Sequence, residues 1–199
     1  MDKLVDHDID RRLGARLKAA RLTQTLTLET LSARTGVSRA MISRIERAES
    51  SPTAALLVRL GSGLGLTLSA LLEGEARGEP LSPRAAQPVW RDPASGYLRR
   101  NVSPRGTGSA IEIVEVELPA GAQVILDNAA GAPALDQQIW VLDGVLELTL
   151  GQKRYRLHPG DCLQMHLRET IAYRNTGAQS VRYAVILAAA RNAAPGPST

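Results

Sequence analysis

The strongest constraint on this chain is a change of hydrophobic period part-way along it. Up to Leu72 the apolar residues recur at helical spacing: Ile9, Leu13, Leu17 and Ala20 first, then Leu56, Leu57, Leu60 and Leu64. Beyond Ala110 they alternate, as in Ile111-Glu-Ile-Val-Glu-Val-Glu-Leu118. A 3.6-residue period makes one face of a helix apolar and a period of two makes one face of a strand apolar, so the two halves need different elements. Between them, Pro80, Pro83 and Pro88 punctuate a stretch with neither period, which reads as a semi-extended linker. The expected organisation is α+β in two domains: a helical domain over 1–72, a linker over 73–93, a β-rich domain over 94–190 and a disordered tail over 191–199.

Local signals divide the first part into short helices. The spacing predicts a first helix from about Asp10 to Leu22, starting after a cluster of acids that suits a helix N-terminus. Thr27 is placed to cap a second helix, Leu28 to Arg34, and Ser38 to cap a third that runs to about Arg47. Between these two, Gly36 supplies a cheap left-handed turn. Helix, short glycine-containing turn, helix is helix-turn-helix spacing. Pro52 fits the first turn of a fourth helix, and Leu66 to Leu72 closes the set. On the third helix Val37, Ile42 and Ile45 point one way and Arg39, Ala40, Ser43, Arg44 and Arg47 the other. By itself that is also the pattern of any basic amphipathic surface helix.

Charge sharpens the reading. The net charge is +4, and residues 1–72 carry eleven Lys/Arg against seven Asp/Glu while the remainder holds thirteen of each, so the whole excess sits in the helical part. That is a footprint for a polyanion. The apolar run Ala184 to Ala190 is far shorter than the ~20 residues of a membrane helix, and the acidic N-terminus lacks the cationic and apolar regions of a secretory signal. A single cysteine, Cys162, excludes an internal disulfide. A cytoplasmic protein with no membrane association is expected.

In the β-rich part, Pro119-Ala-Gly121, Gly151-Gln152, His158-Pro-Gly-Asp161 and Asn175-Thr-Gly177 read as turns. Asp143-Gly144 reads as a hairpin between Gln138–Leu142 and Val145–Leu150. Strands at this density indicate a small sandwich or barrel.

Two resemblances follow from these motifs. Thr-Leu-Glu-Thr-Leu-Ser-Ala-Arg-Thr-Gly-Val-Ser-Arg-Ala-Met-Ile-Ser-Arg-Ile-Glu-Arg (27–47), with Ser51-Pro-Thr53 and Leu64-Gly-Leu-Thr-Leu-Ser-Ala-Leu-Leu72, resembles the lambda-repressor-like DNA-binding domain of the Cro/xenobiotic-response-element regulators. The resemblance implies a five-helix bundle in which Arg39, Ala40, Ser43 and Arg44 read base edges, and in which Thr27, Ser38 and Arg47 hold phosphates. Arginine can bond guanine O6 and N7 together, and the alanine methyl can meet thymine. It also implies a structural pair between Arg21 and Glu46. Three positions depart from the family: Ala48 stands where a glycine commonly ends the third helix, and Gly61 and Gly63 interrupt the fourth, which should soften it.

Gln137-Gln-Ile-Trp-Val-Leu-Asp-Gly-Val-Leu-Glu-Leu148 and Leu157-His-Pro-Gly-Asp-Cys-Leu-Gln-Met165 are similar to the two motifs of the cupin superfamily, implying a double-stranded β-helix (jelly roll) barrel. Cupins often hold a metal on a His-x-His pair, a Glu and a later His. Here those positions read Gly131-Ala-Pro133, Gln137 and Ile171, with His166 falling early, so no metal, cofactor or catalytic residue is expected. Gln137, Ile139, Val141, His166, Ile171 and Tyr173 are candidates for a small-molecule effector pocket, plain barrel core being the alternative; Trp140, of opposite parity, is placed for another strand or subunit. The expectation is a dimeric, non-enzymatic transcriptional regulator on a palindromic duplex operator. Its competitor is a metal-dependent cupin enzyme fused to a regulatory DNA-binding domain.

Overall fold

The computed structural model describes residues 2–72, 78–127, 135–166 and 169–189, and the expected tail lies outside them. Five helices come first: α1 (Asp2–Thr23), α2 (Leu28–Thr35), α3 (Arg39–Glu46), α4 (Ala54–Leu64) and α5 (Leu68–Leu72). A hydroxyl opens each of the last four, with Thr27, Ser38, Thr53 and Thr67 accepting the backbone N–H groups of Thr30, Met41, Leu56 and Ala70. Helix α1 starts eight residues before the expected Asp10, so the acidic stretch expected to precede the helix lies inside it. Pro52 precedes α4, whose cap is Thr53.

Helices α2 and α4 end on glycines in the left-handed region, Gly36 at φ 65° and Gly65 at φ 67°. Helices α1 and α3 end instead on left-handed Thr25 and Ala48, at φ 55° and 56°. The core is made by Leu13, Leu17, Leu31, Ile42, Ile45, Leu57 and Leu60. The glycines of α4 have a packing reason that their sequence context hides. A Cβ on Gly61 would lie 2.6 Å from the Leu66 carbonyl oxygen, and one on Gly63 would collide with the Thr35 side chain of α2. Gly14 does the same where α1 crosses α3, at the Ile45 carbonyl.

Among the described residues, ten strands follow in two antiparallel sheets. β1 (Val89–Arg91), β2 (Leu98–Asn101), β3 (Ile111–Leu118), β5 (Leu135–Asp143), β8 (Cys162–His166) and β10 (Val181–Ala189) form one, in the order β1-β2-β3-β10-β5-β8. β4 (Gln123–Asp127), β6 (Leu146–Leu150), β7 (Lys153–Leu157) and β9 (Thr170–Arg174) form the other, in the order β4-β9-β6-β7. The two sheets face each other as the expected jelly-roll-like sandwich, its interior filled by the alternate residues of facing strands. Gly151-Gln152 makes the two-residue β6–β7 hairpin. Asp143-Gly144 does not make one: β5 pairs with β10 and β8 while β6 pairs with β7 and β9, so the chain crosses between sheets there. A Cβ on Gly144 would sit 3.1 Å from the Ser180 carbonyl oxygen and the Val181 Cα, so the tight approach accounts for a glycine that looked like a hairpin signal.

The stretch read as linker contains ordered structure. Residues Arg84–Ala86 form a 3-10 turn, β1 pairs with β2, and the Arg84 fork grips Glu115 of β3 at 3.0 and 3.3 Å. That pairing holds the Glu115 carboxyl below the usual carboxylate range. The helical bundle is seated on this extension of the sheet. Ile9 and Leu13 of α1 and Leu71 and Leu72 of α5 share a crevice with Trp90 and Arg99. Arg99, only 5% exposed, donates to Ser69 of α5, and the hydrophobic core runs through both parts without a break. Buried Asp92, in the β1–β2 turn, accepts the Ala54 N–H at the start of α4 at 2.8 Å on one oxygen. Its other oxygen accepts the N–H and hydroxyl of Ser95, at 2.8 and 2.5 Å.

A carboxylate from the β part thus serves as an N-terminal cap for a helix of the bundle. Asp92→Ala should destabilise the protein by about 1–2 kcal/mol, the range of a lost cap. It should also separate helical from β unfolding in a calorimetric scan, whereas an unchanged single transition would refute this coupling.

Candidate nucleic-acid interface

Helix α3 is fixed from three sides. Ile42 and Ile45 are buried at 0% and 1% exposure, which turns the opposite face outward. At its start, the turn from α2 is held by Arg59 of α4, whose Nε and Nη2 donate to the Thr35 carbonyl at 3.1 and 2.8 Å. The same guanidinium leaves no room for a Cβ on Gly36. At its end, Arg21 of α1 forms a fork with Glu46, Nε to Oε1 at 2.7 Å and Nη2 to Oε2 at 2.8 Å, and its Nη1 donates to the Leu26 carbonyl at 2.8 Å. This pair, expected as structural, is nearly buried. Donating hydrogen bonds to Glu46 raises the Arg21 pKa above its ordinary value.

At roughly 100° per residue, Arg39, Ala40, Ser43, Arg44 and Arg47 fall within an arc of about 140° on the outward face. Arg39, Ala40, Arg44 and Arg47 are exposed and Ser43 is half-buried. Thr27 and Ser38 are exposed at the starts of α2 and α3, where their oxygens are spent on helix N–H groups. An N-cap leaves neighbouring N–H groups of the first turn available to a phosphate. Arg39 lies 3.7 Å from Glu29 in an open pair. Arg47 is more tightly held: its Nε and Nη2 donate to Glu49 at 2.7 and 2.8 Å, and its Nη1 donates to the Ser43 hydroxyl. The arc therefore presents donors for base edges with further donors beside them, a face suited to a polyanion groove.

The β-domain candidates divide. Gln137, Ile139, Val141, Ile171 and Tyr173 come together inside the sandwich, with Ile139, Val141 and Ile171 at 0% exposure, so no water-sized void touches those three. The Gln137 amide donates to the Tyr173 hydroxyl at 2.8 Å, and Tyr173 stacks on Tyr183 with ring centres 5.9 Å apart. Burial pushes both phenols well up from their ordinary pKa. His166 stands apart on the outer face, its Nδ1 2.6 Å from Asp136, because Met165 takes the inward position of β8. A neutral amide bonded to tyrosine and a buried isoleucine do not fit a metal, and the Gly131-Ala-Pro133 position lies outside the described residues. Sequence reasoning missed Asp92, Arg59 and Glu49. Gly14 was visible as a glycine inside a helical pattern, the usual sign of a close crossing.

Residues 17–71 match the family model described as helix-turn-helix, HTH_3. Over 177 residues the chain is 28% identical to the HTH-type transcriptional regulator SutR of Escherichia coli K12, covering 88% of this chain and 94% of that protein. The crystal structure of an HTH_3 family transcriptional regulator from Vibrio cholerae superposes with a TM-score of 0.75 at 24% identity, covering 94% of this chain and 99% of that one. The fold is therefore shared along nearly the whole length, β domain included. A cupin domain of an XRE family regulator from Enterobacter cloacae matches 48% of the chain at a TM-score of 0.43 and 17% identity.

The end of α3 yields a stability prediction. Ala48 N–H bonds the Ile45 carbonyl at 2.9 Å and Glu49 N–H the Arg44 carbonyl at 2.8 Å, a glycine-type C-terminal motif built on an alanine at φ 56°. Ala48→Gly should stabilise the protein by up to about 1 kcal/mol, the left-handed penalty less the entropy of the added glycine. Chemical denaturation checks this, with DNA affinity expected to stay unchanged.

Proposed function

We propose that this chain, whose residues 17–71 are a helix-turn-helix domain, is a sequence-specific DNA-binding transcriptional regulator that acts as a homodimer on a palindromic operator. The observation that carries this reading is the outward arc of α3, where Arg39, Ala40, Ser43 and Arg44 are presented with Ser38 as cap and Arg21–Glu46 as anchor. In the groove, Arg39 and Arg44 would take guanine edges, Ala40 a thymine methyl and Ser43 either base, while Thr27, Ser38 and Arg47 would fix register on phosphates. That role places the protein in the cytoplasm with the DNA, and no helix among the described residues is long and apolar enough to cross a membrane.

One recognition helix reads only a few base pairs, so useful specificity calls for two half-sites about 34 Å apart. The outer face of the six-stranded sheet supports pairing. Ile111, Ile113 and Trp140 are 54%, 38% and 48% exposed there, with Ile186 opposite Ile113 in the ladder. Large apolar residues left exposed on one sheet face are the kind of surface an interaction partner covers. The filled interior, with Gln137 already satisfied by Tyr173, favours pairing over effector sensing as the β domain's main task. Gln137, an amide bonded to tyrosine, and Ile171, a hydrocarbon, are unsuited to hold the metal that the enzyme reading needs. A small-molecule effector entering between Gln137, Ile139, Val141, Ile171 and Tyr173 would have to displace packed side chains.

Selection of bound duplex from a random pool tests the reading directly and should return an inverted repeat. On that sequence Arg44→Ala should cost roughly 1–3 kcal/mol and relax preference at one base position in each half-site. Equal losses on selected and random duplex would sink the base-reading role. Trp140→Glu should give a monomer in sedimentation and abolish binding to paired half-sites at concentrations where wild type saturates; a dimer of unchanged strength would move the pairing surface elsewhere.

A further inference from the structure

Arg47 is not waiting for a phosphate with its donors free. Its Nε and Nη2 form a fork with the two carboxylate oxygens of Glu49 at 2.7 and 2.8 Å, and its Nη1 is bonded to Ser43. A guanidinium fork accepts a carboxylate or a phosphate in the same geometry. The backbone builds the arrangement: left-handed Ala48 reverses the chain at the end of α3, and the Glu49 N–H to Arg44 carbonyl bond at 2.8 Å pins Glu49 two residues beyond Arg47. The hydrogen bonds from Arg47 hold the Glu49 carboxyl below the usual carboxylate range, so it is ionised at neutral pH.

The pair is also open. The side chains of Arg47 and Glu49 are 56% and 50% exposed, in contrast to 9% and 5% for the Arg21–Glu46 pair one turn away. A buried fork locks two helices together, whereas an exposed one is weak enough to be exchanged. Among the ion pairs of the outward arc, Arg39–Glu29 is a single contact at 3.7 Å, so the Arg47–Glu49 fork is the one with phosphate-like geometry.

We propose that Glu49 is a built-in competitor for the DNA backbone: its carboxylate occupies on Arg47 the seat a phosphate takes, and binding exchanges one for the other. The inference rests on the reading of α3 as the DNA-contacting helix and adds a residue that sets the sequence-independent part of the affinity. Until the exchange, Arg47 is neutralised and Ser43 is held by it. On the duplex, Arg47 turns to a phosphate, Glu49 is released to solvent and Ser43 is freed towards a base.

The test is equilibrium binding of a random-sequence duplex, and of a duplex recovered by selection, across a salt series. Glu49→Gln keeps the backbone bond to Arg44 and is expected to keep the wild-type melting temperature. It should bind both duplexes roughly two- to fivefold tighter, with the slope of log K against log salt steeper by up to about 0.9. In an Arg47→Ala background the same change should have no effect. An equal gain in that background would mean a general field of negative charge and overturns the proposal. No gain from Glu49→Gln, in a protein whose binding is still weakened by Arg44→Ala, overturns it and leaves the reading of α3 standing. If neither Arg44→Ala nor Arg47→Ala weakens duplex binding, the reading of α3 fails and the competitor role falls with it.

Discussion

The Arg21–Glu46 fork is the interaction on which the presentation of α3 depends. It joins the end of α1 to the end of α3, and the third donor of Arg21 closes the α1–α2 turn through the Leu26 carbonyl. Two charges this far from water are tolerated because each is bonded at both of its ends, and a buried charge stripped of its partner costs several kcal/mol. The two helices therefore cannot turn independently about their axes. Gly14 lets them approach until backbone nearly touches backbone, and Ile42 and Ile45 then have one way to be buried. The outward arc of Arg39, Ala40, Ser43 and Arg44 follows as the remainder. Its direction is fixed before any nucleic acid arrives, so little ordering entropy is left for binding to spend.

A second constraint ties that rigid unit to the sandwich. Asp92 satisfies the first N–H of α4, Arg99 reaches Ser69, and Trp90 lies against α1 and α5. A buried carboxylate at a helix N-terminus gains from the dipole as well as from the hydrogen bond. The helical domain thus sits against the β1–β2 extension as a continuation of its core. What looks in sequence like two domains joined by a semi-extended linker behaves physically as a bundle docked on a sheet.

Much of this was legible in the residues, for identifiable reasons. Caps and turns are local, so Thr27, Gly36 and Ser38 announce the helix-turn-helix unit, and the change of period separates helices from strands. The partnership of Arg21 and Glu46 came with the family resemblance and is present as a nearly buried fork. The misreadings share a different cause: each concerns a contact between distant parts of the chain. Asp143-Gly144 has the local chemistry of a hairpin, but its glycine answers to Val181, nearly forty positions away. Proline spacing made 73–93 look free, yet Arg84 binds Glu115 and Trp90 is covered by helices that precede it. Gly61 and Gly63 looked like soft points because the backbone and Thr35 atoms against them cannot be seen from α4 alone. His166 was grouped with the interior set, whereas strand parity, pinned by Met165, turns it outward to Asp136.

The same long-range packing bears on how such a molecule could be controlled. A DNA-binding domain on a loose tether gains affinity through effective concentration and tolerates many half-site spacings. A domain seated through Asp92, Arg99 and Trp90 does not have that freedom. In a pair joined at the outer face around Ile113 and Trp140, the separation of the two α3 helices is set by the sandwich and the seat together. A signal that changes operator affinity must then alter one of two surfaces: the seat between α4, α5 and the β1–β2 turn, or the face between copies. Ile139, Val141 and Ile171, buried at 0% exposure, transmit strain well and would have to move for a molecule to enter between them. Control in this architecture belongs at its junctions.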